Sequence, residues 1–442
     1  MLTRLDATAT PFAAGREFGA AGDYEQVTGT AVFAVDPSHP ANASIVDLAL
    51  APRQPDGRVT FEADLRILRP ADPRRGNRRL VLDLVNRGNP VALRNLAAGP
   101  AARSDAESDG WLLARGYTLL SCGWQHNVPR GTRRLGLHAP AALDPDGRGL
   151  TGQVRAVHQV NVPTQVVGIA DEPSGAEHTP YPVADPRDPT ATLIERDYPL
   201  ATGRVVSRER WRFGRLDQGQ LVPDRTHVYY ADGFVPGKVY EIIYTAEGAP
   251  VTGLGFAAVR DAVSFLRFGS RATGNPCADT LDYALAFGAS QTGRLARHML
   301  YAGFCVDEAG RLVVDGVLTL IAGPMRTEAN WRFGQPSFIG SDSPGFGFPF
   351  TDGSQADPRH GSTDGLLQRL SRTDQVPKVM HINTSAEYAN LACALIHLSA
   401  DGSTDVEIPD DVRIYHLAGT HHGGGGLPLT NRLFSGVATY YN

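Results

Sequence analysis

Six short runs along the chain are apolar on consecutive positions: Leu80 to Val85, Tyr117 to Trp124, Tyr283 to Phe287, Val314 to Ala322, Val376 to Ile382 and Val412 to Leu417. Most are followed at once by Gly, Asn, Ser or Thr. A strand covered on one face alternates apolar and polar residues, whereas a strand buried between two layers is apolar on both. These runs therefore predict inner strands of a mostly parallel sheet. Pro377 lies near the start of the fifth run, where a strand best tolerates proline. GFAAVRDAVSFLRFG and QTGRLARHMLYAG carry the helical period. Alternation of strand, helix and strand predicts an α/β chain with helices on both faces of the sheet. Val27 to Val35 and Val59 to Leu68, separated by a stretch containing PRQPDG, read as two earlier strands.

The rhythm breaks once. Roughly 130 residues lie between the strand ending near Trp124 and the helix starting near Gly255. They are rich in Pro, Asp and Thr, with strand-like pieces in TLIERDYPL, GRVVSRERWRFG and KVYEIIYTA. Residues 131–235 are expected to form a β-rich accessory or cap region, inserted into a core made of 1–130 and 236–442. A second segment, 331–360, interleaves aromatic residues with Gly and Pro. It reads as a lid over a pocket, with Trp331, Phe333, Phe346 and Phe348 as candidate substrate contacts.

Composition narrows the function. The 442 residues carry 42 Lys and Arg against 47 Asp and Glu, a formal net charge of −5. That excludes a strongly basic nucleic-acid binder. No stretch is long and apolar enough for a membrane span or a signal-peptide core, so a cytoplasmic location is expected, with a secreted mature form left open. The four cysteines show no Cys-x-x-Cys spacing. Cys277 and Cys305 flank the strand and helix around residue 290, which leaves their pairing open.

The chemistry is concentrated in DYALAFGASQTGRLARHML. An apolar strand enters Gly288-Ala289-Ser290-Gln291-Thr292-Gly293, and an amphipathic helix begins immediately. A sharp strand-to-helix turn requires small residues around its apex, and it presents the apex side chain at the carboxyl edge of the sheet. There the N–H groups of the helix N-terminus favour a developing anion. Ser290 is thus the candidate nucleophile. The second glycine lies three residues after the serine rather than two, and Thr292 is bulkier than the usual glycine.

A serine nucleophile needs a base, and the base an orienting carboxylate. In the order Ser, acid, His, each follows a later strand. Glu387 leaves the fifth run and is the acid candidate. His421 or His422, after the sixth, is the base. Asp352, Asp357 and Asp364 are rival acids, Asp410 and Asp411 precede the last strand at its wrong end, and His126 and His298 read as structural. The glycine run beginning at Gly423 lacks a following Gly-Lys-Ser/Thr and reads as clearance behind the histidine. Neither a metal nor a cofactor is called for, since no His-Glu-x-x-His exists and adjacent histidines on an extended turn diverge.

NRG at 86–88, GLGFAAVRD at 253–261, GASQTGR, NTSAEY and YHLAGTHHG together resemble the bacterial α/β-hydrolase-domain serine esterases. In that family the elbow reads Gly-x-Ser-Gln-Ser/Thr-Gly-Arg and the histidine segment Ala-Gly-Thr-Gln-His-Gly. The resemblance implies an α/β-hydrolase fold and His422 as the base, with His421 standing where the family has Gln. It also implies the reaction class, a serine esterase, and little more; a small-molecule carboxylic ester or lactone is the expected substrate. In such a fold the oxyanion donors are the backbone N–H of Gln291 and one from the loop after the third strand, Arg87 or Gly88. An acyltransferase using the same triad, or a non-catalytic binding protein on this fold, are the alternatives. Oligomeric state is not legible.

Overall fold

The computed structural model describes residues 1–97, 104–170, 177–338, 343–357 and 359–423. Its largest sheet contains β1 (Leu2–Pro11), β2 (Tyr24–Val35), β3 (Val59–Pro70), β4 (Arg79–Leu84), β5 (Thr118–Cys122), β6 (Tyr283–Ala289), β7 (Gly316–Leu320), β8 (Lys378–Thr384) and β9 (Val412–Leu417). Their spatial order is β1-β2-β3-β5-β4-β6-β7-β8-β9, and a two-residue strand, Leu137–His138, also pairs with β3. From β1 to β5 the pairings are antiparallel. From β5 to β9 they are parallel. Each of the six apolar runs becomes one of the parallel strands; β5 is buried throughout and β4 beyond its first residue, whereas the edge strand β9 buries only Val412.

One face of this sheet is helical. Leu80, Leu82, Leu84, Ala284 and Ala286 pack with Val259 of α1 (Leu254–Phe268) and with Leu295 and Met299 of α2 (Gln291–Ala302) in one large core. Val81, Leu119, Phe287 and Ala289 point the other way, against Phe12, Phe18, Tyr24, Leu112 and Leu113. Short 3₁₀ turns such as Phe12–Gly15 and Leu113–Arg115 help to build that cover. Further along the same face Tyr283, Leu285, Tyr415 and Leu417 are exposed. The expectation of helices on both faces is thus met only in part among the described residues. An apolar run reports that a strand face is suited to burial, but not which element supplies the cover.

From Thr151 to Glu247 the chain builds two smaller sheets. One orders its strands 204–205, 192–196, 239–247 and 151–158, and the other 211–217, 220–234 and 164–168. They share an aromatic core of Trp211, Phe213, Tyr230, Phe234, Tyr240 and Tyr244. The strand Val239–Glu247 lies between Thr151–His158 and Thr192–Arg196, pairing with both. Glu241 on this strand is buried and accepts from both Arg155 (2.5 Å) and Arg196 (2.7 Å). A buried carboxylate needs such partners to stay charged.

All four cysteines are buried and unpaired, Cys277 and Cys305 included. Burial pushes both of those thiols up to about 12, which keeps them unreactive. Among the described residues no helix is long and apolar enough to cross a membrane.

Candidate active site

β6 ends at Ala289, α2 begins at Gln291, and Ser290 between them has φ 57° and ψ −116°. A non-glycine residue held there is strained by roughly 1–3 kcal/mol, and surrounding structure must enforce it. Three neighbours do so. A Cβ at Gly288 would lie 2.2 Å from the carbonyl oxygen of Thr292, so the chain can fold back only over glycine. The Thr292 hydroxyl accepts from the Ala289 N–H (2.9 Å) and donates to the Ala289 carbonyl (3.1 Å), closing the turn like a clasp. Gly293 faces β7 and the residues after it, where a Cβ would approach Ala322 Cβ to 2.9 Å and the Leu320 carbonyl to 3.0 Å. The two departures from the usual elbow spacing thus each have a local purpose.

Ser290 Oγ lies 3.0 Å from His422 Nε2. His422 Nδ1 lies 2.5 Å from Glu387 Oε1. With Nδ1 facing a carboxylate, the ring proton belongs there, which leaves Nε2 to accept from the serine hydroxyl. Glu387 opens the short helix α3 (Ser385–Asn390) and is 1% exposed. Its other oxygen, Oε2, accepts from the Thr384 N–H (2.8 Å) and hydroxyl (2.5 Å), a capping box that fixes the carboxylate plane. Burial by itself would raise the Glu387 carboxyl. The bonds from His422 and Thr384 outweigh it and hold the group below its ordinary range. The histidine loop is tied to the same helix, since the Gly419 N–H donates to Ser385 Oγ at 2.8 Å.

His421 is exposed and makes no hydrogen bond or ion pair among the described residues. Of the rival acids, Asp352 pairs with buried His381 (2.9 Å), Asp357 with His360 (2.8 Å), and Asp364 accepts from the Tyr301 hydroxyl (2.9 Å). His298 is buried and His126 half-buried, and desolvation pushes each down to about 3. His298 Nδ1 also donates to the Thr327 carbonyl at 2.8 Å. From residue 424 on, the glycine run lies outside the described residues.

The loop after β4 sits beside the elbow. Asn86 and Asn89 exchange backbone bonds of 2.8 and 2.9 Å, and Asn86 Nδ2 donates to the Ala289 carbonyl at 3.3 Å. Within this turn Arg87 has φ 50° and Gly88 φ 80°. A Cβ at Gly88 would come within 2.7 Å of Arg134 Cβ, so both backbone angle and space require glycine. The Arg87 N–H donates to Gln291 Oε1 at 3.1 Å. The Gly88 N–H has no hydrogen-bond partner among the described residues.

Two supports of this loop escaped sequence reasoning. The Gln291 amide donates to Gln125 Oε1 (2.9 Å), the Pro336 carbonyl (3.2 Å) and Ser337 Oγ (3.2 Å), while Gln125 donates to Asn127 Oδ1 (2.6 Å). Asp83, 1% exposed on β4, accepts from the N–H groups of Val91 (3.0 Å) and Ala92 (3.1 Å). Burial raises its carboxyl to about 6 even against those donors. A lone acid inside an apolar strand was the available signal.

The lid aromatics turn elsewhere. Trp331 packs against His298 (5.2 Å between rings) and Phe333 against Tyr181 (5.2 Å), where it joins the core of the smaller sheets. Phe348 packs against Phe350 (6.1 Å), and Phe346 ends a 3₁₀ turn that starts at Pro344. Among the described residues none of the four has a ring contact or hydrogen bond to Ser290, Glu387 or His422.

No curated protein and no solved structure matches the chain. One family model does, that of the alpha/beta hydrolase domain, over residues 212–436. This span is just over half of the chain and includes Ser290, Glu387 and His422. The chain belongs to the alpha/beta hydrolase domain family.

Proposed function

We propose that the protein is a serine hydrolase that cleaves a small carboxylic ester or lactone through an acyl-enzyme on Ser290. The reading rests on the unbroken line from Ser290 Oγ through His422 to Glu387, at 3.0 and 2.5 Å, beneath a strained elbow. Ser290 Oγ attacks the carbonyl carbon as its proton passes to His422 Nε2. Glu387 holds the tautomer and balances the imidazolium that forms. The tetrahedral oxyanion is bound by the N–H of Gln291 and that of Gly88, since the Arg87 N–H is engaged by the Gln291 side chain. The tetrahedral intermediate then collapses: the ester C–O bond breaks, and the leaving alcohol takes the proton from His422. Water repeats the sequence to free the acid and Ser290.

The decisive experiment is hydrolysis of a p-nitrophenyl ester, together with labelling by a fluorophosphonate, in wild type and Ser290→Ala. The variant should lose on the order of 10⁶ in turnover and all labelling. Wild-type hydrolysis by Ser290→Ala would end the proposal. Acyl transfer to an added alcohol or amine that outpaces hydrolysis would move the reaction to the transferase class.

A further inference from the structure

Arg294 lies one turn into α2 from Ser290, and its backbone N–H bonds the Ser290 carbonyl at 3.0 Å. The residue is 5% exposed, yet its side chain has no hydrogen bond or ion pair among the described residues, and Nε is fully buried without a partner. Nε and one Nη of buried Arg297 are likewise unpartnered, but that side chain and Arg260 each keep hydrogen bonds. Arg297 donates to the carbonyls of Pro324 (3.1 Å) and Phe350 (2.5 Å), and Arg260 donates to Asp261 (2.7 Å) and Asn42 (2.9 Å).

The charges acting on Arg294 belong to the site. Arg87, in the loop beside the elbow, repels it, and Glu328 attracts it. The Glu328 oxygens accept from Ser343 Oγ (2.7 Å) and the Gln335 N–H (2.9 Å) rather than from Arg294. Burial first, and Arg87 after it, push the Arg294 guanidinium down to about 9. The N-terminus of α2 adds partial positive charge at Ser290. The Arg294 guanidinium thus lies one helical turn from the nucleophile with no hydrogen-bond or ion-pair partner among the described residues. A buried charge of this kind is costly until a counter-ion reaches it.

We infer that Arg294 receives a carboxylate carried by the substrate, so that the ester opened at Ser290 is an anionic one, such as the half-ester of a dicarboxylic acid. This rests on the hydrolase reading above. Arg294 then acts in specificity and orientation, forming a charge-assisted pair that a neutral ester cannot make.

The test compares kcat/KM for monophenyl glutarate and monophenyl adipate with phenyl valerate and phenyl hexanoate, which match them in chain length but lack the charge. A parallel pair, 4-acetoxybenzoate against phenyl acetate, places the carboxylate on the alcohol side. Wild type should favour the anionic member of at least one pair by about tenfold or more. In Arg294→Met that ratio should fall about 10- to 100-fold, with Arg294→Lys in between. Added glutarate should raise the Tm of wild type and not that of Arg294→Met. Equal loss on charged and neutral esters in Arg294→Met would show a bracing role only and overturn the inference, as would a wild type with no anionic preference. Should Arg294→Met fail to fold, an unchanged ratio in Arg294→Lys together with no glutarate effect on the wild-type Tm overturns it equally. Absence of all ester turnover and of fluorophosphonate labelling would instead refute the hydrolase reading itself.

Discussion

Glu387→Gln separates the two tasks that Glu387 performs. In the wild type Oε1 takes the His422 Nδ1 proton at 2.5 Å while Oε2 caps α3 through Thr384 at 2.8 and 2.5 Å. A glutamine has one acceptor and one donor for these two sites. If its NH₂ faced the Thr384 N–H, a buried donor would meet a donor, at a cost of about 1–3 kcal/mol. The oxygen therefore stays on Thr384, and the NH₂ meets His422 Nδ1. That forces the ring proton onto Nε2, which then points at Ser290 and cannot accept its hydrogen. Loss of kcat should reach about 10³ to 10⁴, as expected for a triad base locked in the wrong tautomer, while stability falls by less than about 1 kcal/mol because the cap survives. Glu387→Ala should lose activity to a similar degree and a further 1–2 kcal/mol or so with the cap. The assay is ester hydrolysis under saturating substrate, with urea melts of the same preparations. The pH dependence gives a second check. The Glu387 carboxyl is held low in the fold, so its contribution to stability is present above its ordinary value of 4.5 and lost as pH falls through the lower folded value. Glu387→Gln should lack that acid limb. Retention of kcat within tenfold in Glu387→Gln would refute the reasoning.

Thr292→Val removes both bonds to Ala289 while keeping the shape, and it should destabilise by about 1–3 kcal/mol with a drop in kcat; a melt unchanged from wild type would show that packing alone holds the elbow. Ser290→Gly should raise stability by about 1 kcal/mol, read by urea melts, because glycine relaxes the strained φ of 57°, even as fluorophosphonate labelling vanishes. Asp83 is raised from 3.8 to about 6, so the stability it supports is greatest below 3.8 and declines as pH rises through 6, by about 3 kcal/mol in all. Asp83→Asn keeps an acceptor for Val91 and Ala92 and should flatten that decline in urea melts taken from pH 4 to pH 7; an unchanged slope would count against the assignment.

Much of the fold was legible because the signals are local. An apolar run, a proline at its start and the small residues after its end all lie within one strand of each other, so the six parallel strands could be read without knowing their neighbours. The same holds for Gly288, Ser290 and the helix that follows. The order of acid and histidine after later strands follows from chain order alone.

What the chain order leaves open is which distant groups share one volume. The residues alone left His421 and His422 open and the resemblance implied His422; the folded arrangement brings His422 against both Ser290 and Glu387, groups 132 and 35 residues away from it. It also commits the Arg87 N–H to the Gln291 side chain, draws Gln125 and Ser337 into the same network, and sends Trp331 and Phe333 to His298 and Tyr181. Apolar periodicity reports the side of a strand or helix that is suited to burial, whereas a hydrogen bond depends on angle and on distances of a few tenths of an ångström. The sequence by itself therefore determined the strands, the elbow and the kinds of residue that meet there. Which proton faces which acceptor, and which charge is left without a partner, was decided by tertiary structure, because burial makes those pairings matter and burial is a property of the whole fold.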